Sequence, residues 1–109
     1  MYKLLYTQPA KIDLKRLDKP IAKRIHKKLL FYSNQYNIFS FAKPLENYIP
    51  RVKCYRFRIG DYRAIFTIEP DGCIQILMIL GVKHRKDVYL RGLILGLLHF
   101  VASLFVLFA

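Results

Sequence analysis

Arg56, Arg58 and Arg63 stand within one nonapeptide, YRFRIGDYR at residues 55–63, and their spacing places them together. Successive side chains of a strand face opposite sides, so Arg56 and Arg58 share one face while Tyr55, Phe57 and Ile59 take the other. Gly60-Asp61 suits a two-residue turn whose first position needs positive φ. The register that follows pairs Ile59 with Tyr62, Arg58 with Arg63, Phe57 with Ala64 and Arg56 with Ile65. Three guanidinium groups then lie on one face. Like charges opposite one another weaken a sheet by about 0.2–1 kcal/mol. Such a face is suited to an anion, and guanidinium groups bind phosphate through paired, charge-assisted hydrogen bonds. For any single arginine, solubility is the plainer role. The convergence of three is what argues for a site.

Composition limits the partners. The 109 residues carry 19 Lys and Arg against 7 Asp and Glu, a net charge of +12 and a pI near 10.0. That length suits one domain with one modest core. All of these charges precede residue 92. A domain so basic seeks phosphate polyanions, an anionic membrane surface or an acidic protein. Cys54 and Cys73 have no CxxC or Cys/His spacing, and His26, His84 and His99 have no ligand spacing, so no zinc site is expected. Both cysteines read as reduced thiols in strands. The opening MYKLLYT is too short and too polar for an export signal.

The elements that must position the arginines follow from periodicity. Residues 2–7 read as a strand and QPAKIDLKRLDKP as a short helix. Asp18 and Pro20 mark the start of a second helix. Its buried stripe runs through Ile21, Ile25, Leu29, Tyr32 and Tyr36, and Lys23, Arg24, Lys27 and Lys28 form a basic outer face. Residues 34–51 show few periodic signals and read as a connection. Strands are expected at 52–59, 62–69 and 73–80, the last buried on both faces, with a turn at EPDG. The expected architecture is α+β: an antiparallel-rich, four-stranded sheet with two N-terminal helices on one face. Residues 1–91 form this domain.

Residues 92–109, GLILGLLHFVASLFVLFA, hold no charge. As a hydrophobic C-terminal helix they would measure about 27 Å, against roughly 30 Å for the hydrocarbon layer. The flanking KHRKDVYLR would stay on the cytoplasmic side. A membrane anchor, a packed helix and a frameshifted end are the three readings of this tail. The chain is accordingly expected in the cytoplasm, or attached to the inner membrane through its tail.

The helical pair AKIDLKRLDKPIAKRIHKKL, followed by YRFRIGDYRAIF and HRKDVY, resembles the RelE/ParE superfamily of toxins over residues 2–89, and its RelE branch most. That resemblance implies the toxin of a type II toxin–antitoxin pair, a small endoribonuclease that cuts messenger RNA on the ribosome without a metal or other cofactor. A cognate antitoxin would neutralise it. Arg56 and Arg58 take the places where well-known members carry two lysines, and Arg63 that of the arginine after the turn. A further cation follows the last strand, for which Lys83, His84 and Arg85 are candidates, Arg85 first. Tyr89 matches the active-site tyrosine, and Lys53, Lys83 and Lys86 would contact RNA. Arginine is a poor general base, so His84 is the local group whose ordinary pKa suits that role. A ParE-like toxin that binds DNA gyrase, and an inactive membrane-tethered relative, are the alternatives.

Overall fold

In the computed structural model, which describes residues 1–88, strand β1 (Tyr2–Tyr6) leads into helices α1 (Gln8–Lys15) and α2 (Lys19–Ser33). A 3₁₀ turn at Ile38–Ser40 precedes β2 (Ala42–Ile49), β3 (Val52–Ile59), β4 (Tyr62–Asp71) and β5 (Ile74–His84). The sheet order is β1-β5-β4-β3-β2. Among the described residues only the β1–β5 pair is parallel.

Over the described residues the fold is therefore α+β with two helices, but the sheet has five strands rather than four. The added one is β2, which lies in the stretch read as a connection. Its buried residues recur every third position, Ala42, Leu45 and Tyr48, because the register shifts between Leu45 and Ile49. A bulge of this kind breaks the two-residue alternation by which a strand is recognised. Pro44 is tolerated because β2 is an edge strand. Helix α2 also ends sooner than expected: Ile25, Leu29 and Tyr32 are buried as the stripe requires, but Tyr36 lies beyond the helix and is 97% exposed. The helix expected over 92–109, the boundary at residue 91 and the membrane anchor lie outside the described residues. Among the described residues no helix is long and apolar enough to cross a membrane.

Both helices pack on one face of the sheet. There Ala10, Ile25, Leu29 and Tyr32 meet Phe57, Ile59, Ala64, Phe66, Leu77 and Ile79. Aromatic rings form a column through this core. Tyr32 stacks on Phe57 at 4.6 Å, Phe57 on Phe66 at 4.3 Å and Phe66 on Tyr55 at 5.6 Å. Such pairs contribute about 0.5–1.5 kcal/mol each beyond simple burial. The other face carries a second, smaller cluster of Leu45, Tyr48, Cys54, Ile65 and Val88.

Phe57→Ala removes the middle of the column and should lower the unfolding free energy by about 3–5 kcal/mol. Tyr36→Ala should change it by less than about 0.5 kcal/mol. Urea titrations of the two variants test the contrast.

Candidate functional site

Hairpin β3–β4 carries the arginines, and its register is the one its sequence implies: Ile59 with Tyr62, Arg58 with Arg63, Phe57 with Ala64 and Arg56 with Ile65. Gly60 opens the turn at φ +58°, where a side chain would be strained. Since Phe57, Ile59, Ala64 and Phe66 face the helices, Arg56, Arg58 and Arg63 face away from them. The second cluster, with Cys54 and Ile65, borders the arginines on that face.

Arg56, Arg63, Arg85 and Val88 line a hollow of about 140 Å³. Its three guanidinium groups come from β3, from β4 and from the turn after β5. Larger hollows lie beside β2 and β3 (about 520 Å³) and along α1 and α2 (about 650 Å³). The small one draws cations from three separate chain segments, so it is the candidate site.

Each arginine is placed by local bonds. Arg63 Nη1 donates to the carbonyl oxygens of Gly60 and Tyr62, both at 2.9 Å, which holds its guanidinium against the turn. The Arg85 amide donates to Asp61 O at 2.8 Å, continuing the ladder past the end of β5. Arg85 Nε lies 3.7 Å from Asp61 Oδ1, a solvent-exposed ion pair that contributes little. Burial lowers the Arg63 pKa from the ordinary arginine value, and the charges of Arg58, Arg56 and Arg85 lower it further; Asp61 opposes them. The guanidinium remains cationic near neutrality. The shift reflects burial first and the neighbouring positive charges second.

The other expected residues are not all brought here. Arg58 is exposed and opposite Arg63, at the edge of the group. Lys86 lies exposed in the turn with Arg85. Lys83 is in register with Arg63 but is buried, and its Nζ binds Asp13 at 3.0 Å. It is engaged with protein rather than turned to the hollow. His84 is in register with Tyr62 and packs edge-on against that ring at 5.6 Å, placing it on the helix-facing side. Its Nδ1 accepts a hydrogen bond from the Lys86 amide. Lys53 alternates with Cys54 and so falls on the opposite side from Arg56. Tyr89 lies outside the described residues.

One cation escaped the sequence reading, and another, read only as part of a basic helical face, reaches further than expected. Lys43 of β2 pairs directly with Arg56 on the arginine face. Nothing in the sequence marked it, because β2 was not legible as a strand. Arg24 of α2 reaches the turn itself: a Cβ on Gly60 would lie 3.0 Å from its Nη2.

A small basic α+β domain with a cationic hollow on one face of its sheet is the class this fold and site define. The chain belongs to the RelE/ParE superfamily of type II toxin–antitoxin toxins, and residues 4–89 match the family described as ParE toxin of type II toxin-antitoxin system, parDE. Among solved structures, it is similar to the RelBE2 toxin–antitoxin complex from Mycobacterium tuberculosis, with 25% identity and a TM-score of 0.63 over 76% of this chain and 96% of that one. A RelB–RelE complex from Methanococcus jannaschii matches at 30% identity and a TM-score of 0.50, over 78% of this chain and 94% of that one. The archaeal RelE–RelB complex from Pyrococcus horikoshii shares the fold at 23% identity and a TM-score of 0.58, over 77% of this chain and 94% of that one. No curated protein matches the chain.

Like charges now face each other at Lys43–Arg56 and Arg58–Arg63. Replacing Arg56 by Gln should therefore stabilise the protein by about 0.2–1 kcal/mol in low salt. The gain should shrink at high salt, where screening shortens the reach of the repulsion. Denaturation midpoints at two ionic strengths measure it.

Proposed function

We propose that this toxin is a RelE-like endoribonuclease that cuts messenger RNA, on the ribosome, and is held inactive by a cognate antitoxin. The observation that carries the reading is the hollow in which Arg56, Arg63 and Arg85 converge. In the proposed step a ribose 2′-oxygen attacks the adjacent phosphorus and gives its proton to solvent water, from which the departing 5′-oxygen takes one back. The phosphorus–O5′ bond breaks and the 5′-oxygen is protonated. The products are a 2′,3′-cyclic phosphate and a 5′-hydroxyl. Negative charge builds on the phosphoryl oxygens in the transition state, and guanidinium groups already in place stabilise it without reorganising.

The hollow supplies charge rather than a base. Its lining is three arginines and a valine, and none of these takes a proton near neutrality. Catalysis by this site is then mainly electrostatic stabilisation and positioning of the scissile phosphate. The relatives solved as toxin–antitoxin complexes support an antitoxin partner. A surface of charge +12 suits an acidic one.

A second reading rests on the ParE family match over residues 4–89. In it the basic face binds DNA gyrase and cuts nothing.

Induction of the protein in a bacterial host should stop growth and leave messages ending in 2′,3′-cyclic phosphates. Arg56→Ala should lower the cleavage rate about 100- to 1,000-fold, the typical loss when one transition-state donor is removed. Intact messages together with gyrase-dependent DNA breaks would establish the second reading instead.

A further inference from the structure

Asp13 lies in α1, far in sequence from the arginines, yet three contacts tie it to the strand that leads to Arg85. Its Oδ2 accepts from the Val82 amide at 2.9 Å and from Lys83 Nζ at 3.0 Å, and its Oδ1 accepts from the same ammonium at 3.1 Å. The pair is nearly enclosed, with side-chain exposures of 10% for Lys83 and 11% for Asp13.

The location explains why an acceptor is needed. Strand β1 covers the edge of β5 only as far as Ile79, and Thr7 then caps the Ile79 and Leu80 carbonyls. Beyond that point the edge amide of Val82 has no strand partner, and Asp13 satisfies it. Gly81 leaves the room: a Cβ there would meet Asp13 Oδ2 at 3.2 Å and Lys83 Cε at 3.4 Å.

Lys83 is opposite Arg63 on the face that carries the hollow. Among the described residues this is a third like-charge register pair, after Lys43–Arg56 and Arg58–Arg63. It differs because Asp13 draws the ammonium to the sheet edge and neutralises it. We propose that Asp13 is a positioning residue that parks the Lys83 ammonium at the edge of β5, leaving the hollow to the guanidinium groups of Arg56, Arg63 and Arg85. A buried cation left without its counter-charge seeks another anion or water. On its own face Lys83 is in register with Arg63, which lines the hollow, so the hollow is an outlet within the same sheet face. A flexible ammonium there would hold a phosphate as a point charge and compete with the fixed, planar geometry of the guanidinium groups.

The consequence for RNA cleavage rests on the nuclease reading, whereas the consequence for anion binding does not. Inorganic pyrophosphate is therefore the first probe, titrated calorimetrically against the full chain. Asp13→Asn keeps an acceptor for the Val82 amide and removes the charge. It should bind pyrophosphate about tenfold more tightly, the value of one added charge-assisted hydrogen bond, and adding Lys83→Met should reverse the gain. Lys83→Met alone should leave the affinity within about twofold of the intact protein. A merely structural role for Asp13 predicts no gain in affinity. Equal affinity in Asp13→Asn and the intact protein would overturn the proposal, as would a clear loss in Lys83→Met. In RNA cleavage, Asp13→Asn should lower KM and kcat together. If affinities shift as stated while none of the proteins cuts RNA, the nuclease reading fails and the role of Asp13 stands.

Discussion

Crowding cations onto one patch of backbone costs free energy, and the architecture around the hollow is organised by that constraint. Two-residue alternation is what makes it tolerable. Along β3 and β4 each arginine on one side is matched by a ring or aliphatic group on the other. The same residues that bring the charges together thus anchor the hairpin into the helix-facing core. The column from Tyr32 through Phe57 and Phe66 to Tyr55 keeps the hairpin stiff, so the guanidinium groups cannot relax apart by bending the strands. Arg63 is further bound to the turn carbonyls, which fixes a guanidinium that is both partly buried and repelled by its neighbours. A site of this kind exchanges some stability for preorganisation.

The division of the sheet into two faces also sorts the titratable groups. His84 faces Tyr62, and Lys83 is bound to Asp13, so neither shares the hollow with Arg56 and Arg63. Basic groups on α2 lie on the helical side, except that Arg24 bends over the Gly60 turn toward the hairpin end. Positive charge therefore extends around the end of the sheet and is not confined to one wall. A polyanion longer than one phosphate would meet cations on both sides of that turn.

How much of this was legible in the sequence depended on whether a signal was local. The hairpin register was, because strict alternation and a Gly-Asp turn leave one pairing that keeps the apolar residues together. The helical stripe was legible through Tyr32 and failed at Tyr36, where the same spacing runs on past the end of the helix. Strand β2 was hidden by its bulge, and Lys43 with it. The orientation of Lys83 could not be read from its neighbours at all. In sequence it belongs to a basic run, VKHRK. Its behaviour is decided by a carboxylate 70 positions earlier, brought close only once α1 has docked against β5.

That docking and the parallel pairing beside it have a temporal consequence. Tyr2 lies opposite Gln75, and Tyr6 opposite Ile79, so among the described residues β1 gains its one strand neighbour from β5, the last of the described strands to be made. Closing so long a loop is slow relative to forming local hairpins. A growing polypeptide can assemble the β3–β4 hairpin early, but Arg85 and the brace at Val82 arrive with β5. Incomplete products of synthesis consequently carry Arg56 and Arg63 without the finished hollow, which Arg85 completes only once β5 has joined the sheet.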